Sequence, residues 1–321
     1  MNELSKDSAT RHEVGENGAG QRIDNYLTKL LKGVPKSHVY RILRSGQVRV
    51  NSGRVKPDYR LHEGDHLRLP PVRTAQRRQP REFAGAKPLE LSILYEDDAL
   101  LVVDKPAGMA VHGGSGIRQG IVEQLRRDRP QERFLELVHR LDRGTSGVLL
   151  LAKKRSALTA LHEQLRSGRV RKFYVALVCG RWRNRKQDVR LPLTRHVLAS
   201  GERRVSVKED GMPSHTIFRL ERSWRDFSLL EAELRTGRTH QIRVHLKHLG
   251  FPIAGDDKYG AFALNKALVK QGLRRMFLHA CKVIIVHPRG EKMVFESPLP
   301  PELRHFVDRL SSSGQADAET L

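Results

Sequence analysis

Residues 71–88 constrain the fold of this chain more than any other stretch. Their sequence, PVRTAQRRQPREFAGAKP, has three prolines and five basic residues but few apolar side chains that a core could use. Burial cannot offset the entropy of ordering such a segment, so it is predicted to be a linker. The chain of 321 residues is therefore expected to form two domains, over 20–70 and 89–308, with disordered tails at 1–19 and 309–321.

The N-terminal domain combines two amphipathic helical patterns with a short stretch of alternation. Apolar residues recur at helical spacing over 23–31, and Ser37 can cap a second helix that stops at Gly46. Apolar and basic residues then alternate over 48–50 and 67–69, which is typical of strands. The domain is predicted to be two helices on a small sheet.

The charge of the chain points to a polyanionic partner. Lys and Arg number 59 against 36 Asp and Glu, and residues 21–70 alone hold eleven basic and four acidic side chains. On the second helix, Lys36, Arg41 and Arg44 avoid the apolar stripe, so we expect them to bind RNA, although a merely solvated face would look the same. The stretch VPKSHVYRILRSGQVRVN resembles the S4-type RNA-binding domain.

An anionic membrane is the competing partner for this charge. However, no apolar segment approaches the roughly 20 residues that a spanning helix needs, and the N-terminal stretch has no apolar signal region. We therefore expect a cytoplasmic protein without a membrane partner.

The C-terminal domain reads as an α+β domain with a mixed, mostly antiparallel sheet. The stretch SILYEDDALLVVDKPAG is predicted to form two strands around an acidic turn, and KFYVALVCGRW, HTIFRLE and FSLLEAEL are further predicted strands. Helices are predicted over 156–167, with Ser156 as the cap, and over 239–249. No long alternation of strand and helix is present, which argues against a parallel sheet.

Several common chemistries lack their motifs. The dipeptide GK and the pattern GxSxG do not occur, which argues against a Walker A loop and a serine-hydrolase elbow. His240 and His245 are five residues apart, so a helix would not let them share a metal, and we read both as ordinary polar residues. Cys179 and Cys281 lie far apart without CxxC spacing. No metal, disulfide or cofactor is expected.

Asp142 is the candidate catalytic residue. It lies in HRLDRGTSG, between Arg140 and Arg143 and between two apolar runs. A carboxylate beside arginines is often only a structural ion pair. The same setting also keeps the carboxylate ionised at neutral pH, which suits a nucleophile or base but not a general acid. Both interpretations remain open on the residues alone.

Four motifs resemble those of the RluA family of RNA pseudouridine synthases. They are DKPAG, HRLDRGTSG, RKFYVALV and RTGRTHQIRVHLKHLG, and the similarity runs from about residue 20 to about residue 305. The resemblance implies a central RNA-binding cleft with Asp142 as the catalytic residue. It also implies that Arg140 fills the stack vacated by an extruded uridine and that Tyr174 stacks on that base. Arg243 would pair with Asp142, with Arg143 as the competing partner.

The resemblance further implies the reaction and the substrate. Within the family, KGVPKSHVYRILR, AVHGGSG and FLELVHRLDRGTSGVLLLAKKRSAL are most similar to members that act on large-subunit ribosomal RNA. We therefore expect a monomeric, cofactor-independent isomerase that converts uridines of 23S ribosomal RNA, free or in an assembly particle, to pseudouridine. The alternatives are a different ribosomal or transfer RNA uridine, a non-catalytic ribosomal RNA binding or assembly protein, and a nucleosidase, for which no second acid, base or metal set is visible.

Overall fold

The protein divides into two compact units, and Leu89 is the first residue of the second. The computed structural model describes residues 8–31, 33–72, 89–113 and 119–312. All but the first two residues of the predicted linker, 71–88, lie outside the described residues, as does most of the glycine-rich stretch HGGSG.

The N-terminal unit is a small antiparallel sheet with two helices, as the sequence predicts. Its elements are β1 (Thr10–Glu13), α1 (Ile23–Leu30), α2 (Lys36–Arg44), β2 (Arg49–Val50), β3 (Gly53–Arg54) and β4 (His66–Leu69). The strand order is β1-β4-β2-β3. Leu27 from α1 and Ile42 from α2 are buried in one core with Leu67 of β4, so the apolar stripes of both helices face the sheet.

Two local expectations for this unit are wrong. The tail predicted over 1–19 includes β1, which pairs with β4 from Thr10↔Leu69 to Glu13↔His66. The residues of this strand are mostly polar, so composition suggested a disordered tail. Backbone pairing with β4, rather than burial of apolar side chains, orders the strand. Ser37 is not a helix cap, since α2 begins at Lys36 directly after Pro35, whose extended backbone ends the preceding segment.

The second unit contains a large sheet, a separate hairpin and five helices within its described part. Its strands are β5 (Ser92–Glu96), β6 (Leu100–Lys105), β7 (Glu136–Leu137), β8 (Ser146–Ala152), β9 (Arg171–Cys179), β10 (Lys186–Arg190), β11 (Leu193–Val197), β12 (Arg203–Val207), β13 (His215–Ser223), β14 (Phe227–Leu234), β15 (Leu278–Val286) and β16 (Lys292–Glu296). Its helices are α3 (Ile121–Asp128), α4 (Arg155–Arg166), α5 (Gln241–His248), α6 (Phe262–Lys270) and α7 (Pro301–Ser312).

The large sheet is mixed and mostly antiparallel, which confirms the predicted fold class. Its order is β10-β13-β14-β9-β15-β8-β6-β5, with β16 beside β15 and β7 beside β8. The pair β8 and β15 runs parallel through His279↔Ser146 and Ala280↔Gly147, and the other pairs in this sheet are antiparallel. Strands β11 and β12 form the separate hairpin.

Helices cover both faces of the sheet. On β8, Leu149 and Leu151 belong to the core shared with α3, α5, α6 and α7, whereas Val148 and Leu150 face the core shared with α4. All seven residues of β8 are buried, which explains why VLLLA is continuously apolar.

Two helix boundaries in this unit differ from the prediction. Helix α4 begins at Arg155, so Ser156 lies inside it rather than capping it. Helix α7 continues to Ser312 with Leu310 buried, so the tail predicted from residue 309 starts too early, and residues from 313 lie outside the described part.

Candidate active site

A cleft of about 960 Å³ lies in the second unit. It is lined by the loop between β7 and β8, the start of β9, and the segment joining β14 to α5. Asp142, Arg140, Tyr174 and Arg243, which come from three separate parts of the sequence, all line it.

The loop that carries Asp142 is braced against the DKPAG segment. Gly108 and Arg143 exchange two hydrogen bonds: the Gly108 amide donates to the Arg143 carbonyl, and Arg143 Nε donates to the Gly108 carbonyl, both at 2.8 Å. The Thr145 amide closes the turn by donating to the Asp142 carbonyl at 3.1 Å. The Asp142 side chain is left 26% exposed, so its carboxylate can be reached from the cleft.

Lys105 also holds the loop that carries Asp142. Its side chain is fully buried, and Nζ donates to the carbonyls of Pro106, Met109 and Arg143 at 2.8, 2.7 and 3.3 Å. Burial lowers the pKa of Lys105 to about 7. The lysine of DKPAG therefore ties two loops together by hydrogen bonds to backbone oxygen.

Arg243, not Arg143, is the ion-pair partner of Asp142. Arg243 Nη1 lies 3.1 Å from Asp142 Oδ2, while Nε and Nη2 each donate to Asp256 at 2.8 Å. Burial by itself would lower the pKa of Arg243, but the hydrogen bonds to Asp256 and the charges of Asp256 and Asp142 raise it. Asp256 also accepts the amides of Lys258 and Tyr259, so the bidentate anchor is itself fixed.

His240 approaches the other oxygen of Asp142. Its Nε2 lies 3.9 Å from Asp142 Oδ1, and its backbone has φ 53° and ψ 22°, a left-handed conformation that is uncommon outside glycine. The Tyr259 hydroxyl accepts the Val205 amide at 3.0 Å and lies 2.9 Å from His240 Nδ1. A Tyr259 hydroxyl that donates to Nδ1 leaves the proton of neutral His240 on Nε2, which faces Asp142. Burial lowers the pKa of His240 and so favours this neutral form.

Arg140 and Tyr174 occupy contrasting places in the cleft. Arg140 is exposed, as a side chain that enters an RNA stack would need to be. Tyr174 is 6% exposed and lies on β9, and burial, followed by the charge of Asp142, raises the pKa of its phenol. Arg195, Arg235 and Arg238 add positive charge to the cleft lining.

The RNA-binding residues predicted for the N-terminal unit share an exposed helix. Lys36, Arg41 and Arg44 all lie on α2 and are exposed. The Arg44 guanidinium lies 5.8 Å from the centre of the Tyr40 ring, and Arg41 Nη2 lies 2.8 Å from His38 Nδ1.

His240 immediately precedes α5 and His245 lies within it, and their side chains have different surroundings. His245 is fully buried, with Nδ1 3.0 Å from Thr216 Oγ1 and Nε2 2.8 Å from Ser214 Oγ, whereas His240 faces the cleft. Among the residues that the structure describes, no group of three His, Cys, Asp or Glu side chains could hold a metal ion. Within the same residues, no helix is long and apolar enough to cross a membrane.

Sequence reasoning missed several residues of this site, among them three that surround the Asp142–Arg243 pair. His240 was read as an ordinary polar residue, and Asp256 and Tyr259 were not singled out. The run GDDKYG, with an acidic pair beside an aromatic residue shortly after α5, was the available signal. It could not show that Asp256 anchors Arg243, because that contact joins a helix to the loop that follows it.

Both units match known sequence families. Residues 99–248 match the profile described as RNA pseudouridylate synthase, and residues 21–67 match the S4 domain. The chain is 52% identical to "Ribosomal large subunit pseudouridine synthase C" of Pasteurella multocida, over 92% of each chain. It is 51% identical to the protein of the same name from Escherichia coli, over 92% of this chain and 94% of that protein.

Solved structures agree with these similarities. "Human RNA Pseudouridylate Synthase Domain Containing 4" is 26% identical with a TM-score of 0.56, over 68% of this chain and 93% of that one. "Human RNA Pseudouridylate Synthase Domain Containing 1" is 26% identical with a TM-score of 0.55, over 71% of this chain and 97% of that one.

Proposed function

The chain belongs to the RNA pseudouridylate synthase family, and we propose that it isomerises specific uridines of 23S large-subunit ribosomal RNA to pseudouridine at Asp142. The observation that carries the catalytic assignment is the Asp142–Arg243 ion pair at the cleft. The substrate assignment is supported by relatives named as large-subunit ribosomal enzymes, which share half of their residues with this chain.

The reaction needs a positioned carboxylate but no redox partner. The bond between N1 of uracil and C1′ of ribose breaks, the base turns over, and a bond forms between C5 and C1′. The C5 proton is then lost, N1 is protonated, and the product is an isomer of the substrate. Asp142 supplies a carboxylate beside the ribose, which becomes electron-poor as the first bond breaks, because the bonding electrons leave with N1 of the base. The Arg243 bond to Oδ2 fixes the orientation of the carboxylate, and its other oxygen, Oδ1, lies 3.9 Å from His240 Nε2.

Arg140 and Tyr174 serve extrusion and binding of the target base in this proposal. A uridine in folded RNA must leave its stack before its sugar can reach Asp142, which costs a few kcal/mol. The exposed Arg140, two residues from Asp142, is placed to fill the gap. The Tyr174 ring offers a rigid face for the extruded base, and its raised pKa keeps the hydroxyl protonated at neutral pH.

The N-terminal unit supplies affinity for RNA in this proposal. Its match to the S4 domain and the exposed Lys36, Arg41 and Arg44 support contacts to phosphates. We assign the protein to the cytoplasm, where ribosomal RNA or a large-subunit assembly particle is available, and we expect it to act as a monomer.

Replacing the catalytic carboxylate tests the proposal most directly. Asp142→Asn keeps the size of the side chain but removes the charge, so it should abolish pseudouridine formation while RNA affinity stays within about tenfold. Single-turnover assays on unmodified 23S transcripts, with pseudouridine mapped by carbodiimide-dependent reverse-transcription stops, measure the first quantity. Filter binding measures the second.

Asp257→Asn is the matched control. Asp257 also lies near Arg243, at 3.5 Å, but its side chain is 95% exposed, so this variant should keep its activity. A folded Asp142→Asn protein that still makes pseudouridine at a substantial rate would show that another residue performs the chemistry.

A further inference from the structure

Lys172 is a buried lysine without a partner among the residues that the structure describes. It is 8% exposed, it lines the cleft, and none of the described residues accepts a hydrogen bond from its ammonium or pairs with its charge. Burial lowers its pKa to about 8, so the ammonium remains mostly protonated at neutral pH. A buried charge without a partner is costly, and its presence in a cleft points to a ligand that completes the pairing.

The ammonium is accessible because a glycine lies beside it. A Cβ atom added at Gly237 would lie 3.2 Å from Lys172 Nζ, so a side chain at this position would crowd the ammonium. Gly237 belongs to the segment that joins β14 to α5 and that also lines the cleft. The Lys172 ammonium thus lies at the wall of the cleft, and no side chain at position 237 covers it.

Lys172 and Tyr174 share one face of β9. They are two residues apart, so their side chains project from the same side of the strand, about 6.7 Å apart along it. Both line the cleft, whereas Phe173 between them does not, since it packs on the other face against Arg171 and Lys282. A nucleotide whose base lies on Tyr174 extends its sugar and phosphate over a comparable length.

We propose that Lys172 binds a backbone phosphate of the extruded nucleotide whose base rests on Tyr174. This proposal rests on the proposed function, because it takes an extruded ribonucleotide as the ligand. Lys172 holds the sugar-phosphate end of the nucleotide while Tyr174 holds the base, and the ribose between them is presented to Asp142. Two fixed ends restrict rotation of the sugar, which is the part that must align with the carboxylate.

The charge of the ligand decides between a phosphate and a uracil carbonyl. A neutral carbonyl oxygen would satisfy one donor of the ammonium but leave its charge uncompensated in a buried setting. A phosphate supplies a full negative charge and several acceptor oxygens, and such charge-assisted hydrogen bonds are roughly twice as strong as neutral ones. Arg235 and Arg238 also line the cleft, but both are exposed and already contact protein groups: Arg235 pairs with Glu233, and Arg238 donates to the Pro213 carbonyl.

The test compares Lys172→Met, which keeps the length of the side chain, with Lys172→Arg, which keeps the charge. Each variant is combined with Asp142→Asn, and binding of an unmodified 23S transcript is measured over a range of KCl concentrations. Lys172→Met should weaken binding by roughly 10- to 100-fold and reduce the slope of log K against log salt by about 0.7. Lys172→Arg should retain most of the affinity and most of the slope. Lys186→Met, which removes an exposed lysine from β10, is the control and should change affinity much less.

Thermal unfolding separates a ligand contact from a structural role. Removing a buried, unpaired charge should leave the melting temperature of Lys172→Met unchanged or raised. A lowered melting temperature, or binding and salt slope equal to those of the parent protein, would overturn the proposal. A loss of affinity with an unchanged salt slope would also overturn it, because it would indicate a neutral acceptor. These readouts need no turnover, so they remain informative even if the wild-type protein makes no pseudouridine.

Discussion

At the residue scale, the site depends on ionisable side chains whose pKa values are shifted by burial and by neighbouring charges. Lys105 and Lys172 are buried lysines with lowered pKa values, and Arg243 is a buried arginine with a raised pKa. Sequence motifs pointed to Asp142, Arg140, Tyr174 and Arg243, because these residues lie in three short motifs that resemble those of the family. They could not identify Lys172, because a lysine at a strand end carries no local signal of its burial.

Buried histidines make the second unit sensitive to acid. Burial lowers the pKa of His245 to about 4, against about 6.5 in an unfolded chain. Between these values the unfolded chain binds a proton that the folded chain does not, so stability is fully present above pH 6.5 and falls as the pH drops towards 4. The shift corresponds to about 3 kcal/mol for this residue.

The measurement is urea unfolding between pH 7 and 4, followed by tryptophan fluorescence. Both tryptophans of the chain, Trp182 and Trp224, are buried in the second unit, so they report on that unit alone. His245→Gln should flatten the dependence of unfolding free energy on pH by close to one proton, whereas His248→Gln, at an exposed position of α5, should not. Equal slopes in the two variants would contradict the assignment.

At the element scale, long periodic segments were predictable and boundaries or short elements were not. The patterns over 23–31 and 239–249 are helices, α1 and α5, because an apolar stripe at helical spacing must face a core. The hairpin of β11 and β12 was missed because its strands have one exposed face and no strong alternation. It nevertheless reaches the site, since Val205 of β12 donates to Tyr259 beside His240.

One glycine sets how closely β8 and β15 approach each other. Gly147 has φ +112°, and a Cβ atom there would lie 2.2 Å from the Ala280 carbonyl oxygen, which belongs to the backbone and cannot simply move aside. Gly147→Ala should therefore destabilise the second unit by about 3 kcal/mol or more. It should also reduce isomerisation, because the Asp142 loop leads directly into β8.

Gly168→Ala separates the effect of a positive φ from the effect of the close contact with the neighbouring strand. Gly168 also has a positive φ, +72°, but no atom lies within 4 Å of its Cβ position. This variant should cost only about 1–2 kcal/mol and leave the turnover rate of the folded protein unchanged. Tryptophan-monitored urea unfolding and single-turnover rates compare the pair. Similar losses of stability and turnover rate in both variants would mean that the contact between β8 and β15 at Gly147 is not the cause of the loss.

At the scale of the whole molecule, the division into two units and the mostly antiparallel sheet were predictable from composition and pattern. The basic, proline-bearing stretch 71–88 indicated the division, and strand segments without alternating helices indicated the sheet. The strand order was not predictable, because β15 inserts between β9 and β8, which lie far from it in sequence. Long-range pairing of this kind leaves no local trace.

The net charge of +23 makes salt dependence a test at this scale. Replacing Lys36, Arg41 and Arg44 together by Gln should lower the slope of log K against log salt for 23S transcripts by about 2–3, because three phosphate contacts would be lost. Lys266, Lys270 and Arg274 are exposed and carry the same total charge, so their replacement by Gln is the matched control. If the slope decreases equally in both triple variants, the N-terminal unit contributes only non-specific electrostatic attraction to RNA.

The short parallel pairing of β8 with β15 also has a mechanical consequence. It joins two antiparallel half-sheets through only two register pairs, His279↔Ser146 and Ala280↔Gly147. Asp142 enters the site from one half and Tyr174 from the other. The position of Asp142 relative to Tyr174 thus depends on this short pairing, which the 2.9 Å contact between Ser146 Oγ and His279 Nδ1 reinforces. A substitution that shifts β8 against β15 would therefore displace Asp142 relative to Tyr174 without changing the pairing within either half.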